Sequence, residues 1–148
     1  MGITVHLSRL PENPDVPLPE YATEGSAGAD LRACVAEPVV IGPGERASVP
    51  TGFRMALPDG YEAEVRPRSG LAVRHGLTLA NAPGTIDSDY RGEVRVLLVN
   101  LGAGPVTIRR GDRIAQVLVR PVTRAVFAES AALPETARGE GGFGSTGY

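Results

Sequence analysis

The chain has 148 residues, 42% of them hydrophobic, and a formal net charge of −2 at neutral pH. This length fits one domain with a substantial core, and the charge provides no overall positive field for a nucleic-acid polymer. Cys34 is the only cysteine, which excludes an intrachain disulfide. The sequence has neither the apolar run of a signal peptide nor the run of about 18 apolar residues that a membrane span needs.

Short strand-like segments dominate the chain. They are rich in Val, Ile and Thr, often alternate apolar with polar residues, and are separated by turn clusters such as "GPGE", "LPDG" and "APGT". The predicted strands cover residues 3–7, 29–35, 38–41, 46–51, 53–57, 61–67, 77–81, 93–100, 105–111, 113–122 and 124–129. Only residues 69–76, "SGLAVRHG", predict a short helix. We therefore predict an all-β sandwich, jelly roll or barrel over residues 1–128 and a polar arm over residues 129–148.

Two polar segments interrupt the strand pattern in the first half of the chain. "SAGADLRA" places Asp30 at a strand start, where a turn or capping role competes with a metal-linked one. "PRSGLAVRHG" carries Arg68, Ser69 and Gly70 into the predicted helix. Backbone N–H groups at a helix start and a basic side chain favour an anion. A structural cap by Ser69 is the other interpretation, and it would be compatible with phosphate binding. All fifteen basic residues are arginines, so an anion site must use arginine, backbone N–H groups or a metal.

Two further segments carry polar residues in the second half. "NAPGTIDSDYRGEV" is a long polar connection with Asn81, Asp87 and Tyr90, and such connections in compact β domains are often functional. The amide of Asn81 offers both donors and an acceptor, which matches the edge of an amide-like base such as uracil. In "RRGDRIAQVLV", Gln116 interrupts an apolar run and faces either solvent or a specific hydrogen-bond partner.

The last segment, "ARGEGGFGSTGY", cannot hold a helix or strand, because five of its last ten residues are glycine. Glycine-rich ends are usually disordered, which is one interpretation. The other is a flap that orders over a ligand: glycine lets backbone N–H groups approach phosphate, and Arg138 adds charge. Phe143 then stacks on a flat ring. The segment alone does not decide between the two.

Taken together, the motifs identify a resemblance. "AGADLRA", "PRSGLAVRHG", "GTIDSDYRGEV", "GDRIAQ" and "RGEGGFGSTG" occur in the order and spacing of the five motifs of trimeric deoxyuridine triphosphate nucleotidohydrolases (dUTPases). The resemblance implies a jelly-roll-like β-clip subunit with one short helix and a flexible arm, and a homotrimer in which each site combines three chains. It also implies Mg²⁺-assisted hydrolysis of dUTP to dUMP and pyrophosphate, which keeps dUTP low and supplies dUMP for thymidylate synthesis.

The resemblance also implies the residues that perform the reaction. Asp87 matches the acid that orients and deprotonates the attacking water, a role that a positioned carboxylate can fill. Asp30 matches the acid that holds water molecules on Mg²⁺, whose direct ligands come from the triphosphate. Gln116 matches the polar residue near the α-phosphate, and Arg138 matches the residue that reaches the γ-phosphate, where charge develops on the leaving group.

The other residues matched by the resemblance bind the substrate. Phosphate contacts are implied for Arg68, Ser69, Gly70, Gly144, Ser145 and Thr146. Asn81 matches the reader of the uracil edge, aided by main-chain groups of Thr85 and Ile86. Tyr90 matches the ring beneath the deoxyribose, where a 2′-OH would clash, and Phe143 matches the aromatic that covers uracil. Asp89 receives no role.

Three alternatives accompany this interpretation. A deoxycytidine triphosphate deaminase shares the fold, but it needs a different acid/base set and would release ammonia. A non-catalytic relative would bind a nucleotide or a protein without releasing pyrophosphate. A plain structural β domain leaves the glycine-rich arm unexplained. We expect the protein to act in the cytoplasm, with no nucleic-acid polymer and no membrane as partner.

Overall fold

The computed structural model describes residues 2–147, which form eleven strands and one helix. In chain order the elements are β1 His6–Arg9, β2 Glu20–Tyr21, β3 Ala29–Arg32, β4 Val39–Ile41, β5 Arg46–Ala56, β6 Tyr61–Arg66, α1 Ser69–His75, β7 Leu77–Leu79, β8 Gly84–Ile86, β9 Glu93–Asn100, β10 Val106–Ile108 and β11 Arg113–Pro121. The predicted all-β class with one short helix is confirmed.

The strands form three antiparallel sheets around one core. Their orders are β1-β5-β9-β7, β2-β3-β11-β6-β8 and β10-β4. Alternation within the strands creates the core: on β9, Val94, Val96 and Leu98 are buried, whereas the residues between them are partly or fully exposed. Side chains from all three sheets join one buried cluster. The five-stranded sheet places Asp30 on β3 next to Gln116 on β11.

β5 is one continuous strand of 11 residues where the sequence predicts two. It continues through Pro50 and Gly52, and its register against β9 shifts between Pro50 and Arg54. Gly52 has a φ of 72°, and a Cβ there would lie 2.5 Å from Cβ of Asn13 and 2.6 Å from Sγ of Cys34. The irregularity therefore needs glycine, for its backbone angle and for the space.

The prediction of a strand at residues 124–129 is wrong for the single chain. The last strand, β11, ends at Pro121, and residues 124–129 form no strand. Val126 and Phe127 in this segment are 94% and 97% exposed. The apolar pattern typical of a strand is present, but within residues 2–147 no neighbouring strand pairs with it. The proposed division of the chain at residue 128 stays a prediction.

The helix prediction is confirmed, and two short strands were missed. Gly76 ends α1 in the left-handed conformation, with a φ of 65°, and its N–H donates to the Ala72 carbonyl. The missed strands are β2 and β8, and β8 pairs with β6 through the Ala63↔Ile86 register. No helix within residues 2–147 has the length and apolar character needed to cross a membrane.

Candidate active site

A cavity of about 390 Å³ lies where β3, β11 and the start of α1 meet. It is lined mostly by small and charged residues: Ala22, Ser26, Ala27, Gly28, Asp30, Arg66, Arg68, Ser69, Gly70, Arg113, Gln116 and Leu118. Five of the predicted site residues, Asp30, Arg68, Ser69, Gly70 and Gln116, are therefore brought together although they lie up to 86 positions apart. We call this the phosphate cavity, after the phosphate contacts that the sequence predicts for Arg68, Ser69 and Gly70.

Asp30 lies between two arginines rather than capping a turn. Its Oδ1 is 3.2 Å from Nε of Arg68, and its Oδ2 is 3.2 Å from Nη1 of Arg113. The Asp30 side chain is only 17% exposed, so the two guanidinium groups provide much of its polar surroundings. Of the two roles that the sequence left open, the structure rejects the turn or cap.

The start of α1 lacks the side-chain cap that one of the two sequence interpretations assigned to Ser69. Arg68 occupies the N-cap position, with a φ of −93° and a ψ of 127°, and no side chain caps the helix. Ser69 is the first helical residue, and it lines the phosphate cavity together with Gly70. Ser69 is thus available to a ligand and is not used as a structural cap.

Gln116 turns toward the cavity and makes a specific hydrogen bond. Its Nε2 donates to the Pro67 carbonyl over 3.2 Å. Gly28 packs directly against it, and a Cβ on Gly28 would lie 2.5 Å from Oε1 of Gln116. The solvent-facing alternative for Gln116 is therefore wrong, and Gly28 leaves the space that the amide occupies.

The sequence interpretation missed Arg66 and Arg113 in this cavity. Arg66 is paired with Glu64 on the same strand, and its Nε donates to Oε2 of Glu64 over 3.0 Å. Arg113 lies at an irregularity in the pairing of β11 with β3, where the register shifts between Arg113 and Ala115. In the sequence, Arg113 lies three residues before Gln116 in "GDRIAQ". Regular alternation places residues three apart on opposite faces of a strand, so the pattern alone puts Arg113 on the face away from Gln116.

Asp87 lies in a different cavity. This second cavity has a volume of about 720 Å³, and the residues that line it are Asp59, Gly60, Tyr61, Glu62, Asp87, Ser88, Asp89, Val122 and Arg124. Neither Asp30 nor Gln116 lines it. A single chain therefore separates the predicted general base from the predicted phosphate contacts.

The connection around Asp87 holds the other predicted nucleoside contacts. Asn81 is exposed, and its Nδ2 would lie 3.2 Å from a Cβ on Gly84, so the amide rests close over the first residue of β8. On β8, Thr85 is exposed and Ile86 is buried. The hydroxyl of Tyr90 donates to the Glu93 carbonyl over 3.0 Å, and the Tyr90 residue remains 45% exposed.

The arm lies apart from both cavities. Phe143 is fully exposed, and Arg138 donates from Nε to the Gly141 carbonyl over 2.7 Å. The N–H of Ser145 donates to the Gly142 carbonyl over 3.0 Å, so the described arm contains local turns. None of Arg138, Phe143, Gly144, Ser145 and Thr146 lines either cavity. The structure therefore does not bring the predicted arm contacts to the site of this chain.

Comparison with known proteins identifies the family. A dUTPase family model matches residues 14–147. The deoxyuridine 5'-triphosphate nucleotidohydrolase of Rhizobium leguminosarum bv. trifolii (strain WSM2304) is 58% identical over 146 residues, covering 97% of this chain and 94% of that protein. The protein of the same name from Methylocella silvestris is 56% identical over 147 residues, covering 98% and 92%.

Solved structures agree on the fold. A dUTPase mutant of Staphylococcus bacteriophage 80alpha with dUpNHpp has a TM-score of 0.86 and 24% identity, covering 98% of this chain and 99% of that chain. A dUTPase mutant from phage phi11 of S. aureus, which coordinates a structural Mg(II) ion, has a TM-score of 0.78 and 22% identity, covering 88% and 98%. The match to the family model and the two close relatives confirm the predicted family: this chain belongs to the dUTPase family.

Proposed function

We propose that this protein hydrolyses dUTP to dUMP and pyrophosphate. The observation that carries the proposal is the phosphate cavity, where Asp30, Arg68, Ser69 and Gln116 meet in a chain of the dUTPase family. The cavity offers guanidinium groups, a hydroxyl and an amide, which are the groups that bind a phosphate chain. The two close relatives carry the name of this activity.

In the proposed reaction, Asp87 acts as general base. Its carboxylate takes a proton from a water molecule whose oxygen forms a new bond to the α-phosphorus. The bond from the α-phosphorus to the α–β bridging oxygen breaks, and its electron pair leaves with pyrophosphate. Gln116 orients the water and the α-phosphate, and Arg68 offsets the negative charge on the phosphate oxygens.

The residues present fit Mg²⁺ held by the substrate. Within residues 2–147 no three His, Cys, Asp or Glu side chains lie close enough to hold a metal ion by themselves. Asp30 is the carboxylate in the phosphate cavity, which suits a hard ion that keeps much of its water and takes other ligands from phosphates. Asp30 would hold that water, and the bound ion would offset charge on the triphosphate.

The nucleoside is assigned to the connection before and after β8. Asn81 is proposed to read the uracil edge together with main-chain groups of Thr85 and Ile86. Tyr90 is proposed to lie beneath the deoxyribose, and its hydroxyl is already fixed by the Glu93 carbonyl. A ring held there leaves no room for a 2′-OH, which would exclude ribonucleotides.

We propose that the working unit is a homotrimer in which each site combines three chains. Two observations support this assembly. Asp87 and Gln116 line different cavities of one chain. Residues 124–129 expose Val126 and Phe127 and find no neighbouring strand within residues 2–147, so they are available to a second copy.

The arm is proposed to complete the site of another copy. Arg138 would reach the γ-phosphate, and Phe143 would cover uracil. The proposed phosphate contacts of the arm are Gly144, Ser145 and Thr146. A guanidinium at the γ-phosphate offsets charge that develops on the leaving pyrophosphate, and closure excludes bulk water. The predicted cytoplasmic location stays a prediction.

A panel of nucleotides with Mg²⁺ tests the proposal. Pyrophosphate and ammonia are measured with dUTP, dCTP, dTTP and UTP as substrates. We expect pyrophosphate from dUTP only and ammonia from none. Ammonia from dCTP would identify a deaminase of the same fold, and no product from any nucleotide would identify a non-catalytic relative.

A further inference from the structure

Arg113 shares the carboxylate of Asp30 with Arg68. Each arginine takes its own oxygen, and both nitrogen–oxygen distances are 3.2 Å. Within residues 2–147, Asp30 is the only hydrogen-bond partner of the Arg113 side chain. A guanidinium has five N–H donors, and this side chain is 45% exposed and lines the cavity, so most of its donors have no partner among the described residues.

An irregularity in β11 aims Arg113 at the cavity. Residues three apart on a regular strand point to opposite faces of the sheet. Arg113 and Gln116 are three apart, yet both line the phosphate cavity. The register shift between Arg113 and Ala115 accounts for this, and bulges of this kind re-aim side chains next to active sites.

The charges of the cavity favour a second phosphate contact. Arg66 also lines the cavity, but Glu64 neutralises it through an ion pair. The cluster of Arg68, Asp30 and Arg113 keeps one net positive charge. A guanidinium is the side chain that best matches the oxygen geometry of phosphate.

We propose that Arg113 is a second phosphate-binding arginine, which Asp30 holds in place until the substrate arrives. In the structure the carboxylate lies between the two guanidinium groups, in the place that phosphate oxygens would take. When the triphosphate binds, Arg113 exchanges Asp30 for the β- and γ-phosphates, and the freed carboxylate would be able to hold water molecules of a bound Mg²⁺. The inference rests on the proposed function, because it names a further contact for the same substrate.

The first experiment is calorimetric binding of dUpNHpp, a dUTP analogue with nitrogen in place of the α–β bridging oxygen, in the presence of Mg²⁺. Arg113→Gln should weaken binding by about 10- to 100-fold, the usual effect of losing a charged hydrogen bond, and Arg113→Lys by less. Arg109→Gln is the matched control, because Arg109 is exposed on the preceding turn and does not line the cavity. Binding of dUMP should change little in all three variants.

Two results would overturn this part of the proposal. One is equal affinity of Arg113→Gln and Arg109→Gln for the analogue. The other is an equal loss for the analogue and for dUMP, which would indicate a merely structural effect. Failure of the proposed function is measured separately, as absence of dUTP hydrolysis by the wild-type protein.

The second experiment removes the carboxylate instead. With the metal chelated by EDTA, Asp30 only competes with phosphate for the two arginines. Asp30→Asn should therefore bind metal-free dUpNHpp about tenfold more tightly than the wild type. The gain should shrink when Arg113→Gln is added, because the two residues are coupled. Unchanged or weaker binding by Asp30→Asn in EDTA would show that Asp30 does not stand in for phosphate.

Discussion

Replacing Gly28 with alanine should impair the reaction through Gln116. A Cβ at position 28 would lie 2.5 Å from Oε1, 3.1 Å from Cδ and 3.2 Å from Cβ of Gln116. Cβ of Gln116 is fixed by the backbone of β11. Rotating the amide away therefore relieves the contacts with Oε1 and Cδ but not the contact with Cβ. The amide must move by roughly 1 Å, and its hydrogen bond to the Pro67 carbonyl must lengthen or break.

The size of the effect follows from that displacement. A misplacement of about 1 Å in a catalytic constellation can cost about 100-fold in rate. We therefore expect the kcat of Gly28→Ala for dUTP to fall by about 100-fold. KM should change only a few-fold, because Arg68 and Ser69 keep their positions. Pyrophosphate release under steady-state conditions measures both constants.

Two comparisons make this prediction specific. Gly25→Ala lies in the same loop, and a Cβ there would meet no atom within 4 Å, so this control should keep wild-type activity. If Gly28 acts mainly through the amide of Gln116, then adding Gly28→Ala to Gln116→Ala should lower kcat far less than Gly28→Ala lowers it in the wild type, because only the 3.2 Å contact with Cβ remains. Fully additive losses in the double variant would refute the reasoning.

Three other changes test separate parts of the site. Asp87→Asn should lower kcat by about 10²–10⁴-fold with dUTP binding retained, and near-normal turnover would remove Asp87 as general base. A Cβ on Gly92 would lie 2.2 Å from Oη of Tyr90, so Gly92→Ala should displace the ring and raise the kcat/KM of UTP relative to dUTP by about tenfold. An unchanged ratio would contradict the steric account. Deleting residues 138–148 should reduce single-turnover hydrolysis by about 10³-fold and shift the melting temperature by less than about 2 °C, and full turnover would show that the arm is not a catalytic flap.

The sequence predicted those parts of the fold that local pattern encodes. Val94, Val96 and Leu98 alternate on β9 with more exposed residues, and the structure buries them as that pattern requires. Gly76 follows a seven-residue helix, where its left-handed backbone ends the helix. In these segments, burial and backbone geometry depend on residues close in sequence, so the pattern was sufficient.

The missed features depend on partners far along the chain. β8 has three residues, too few for a periodic signal, and it exists because β6 lies beside it. Residues 124–129 have the composition of a strand, but no strand within residues 2–147 pairs with them. The sequence did not distinguish Arg113 from the other arginines, because it is the irregular register of β11 against β3 that aims this side chain at Asp30.

The separation of Asp87 from Gln116 has a genetic consequence. In the proposed trimer, each site takes these two residues from different copies. An allele that encodes Asp87→Asn and an allele that encodes Gln116→Ala would each be inactive alone. Expressed together, they would form mixed assemblies in which one site receives Asp87 from one product and Gln116 from the other. Two lesions in the same gene would then complement each other, as lesions in different genes ordinarily do.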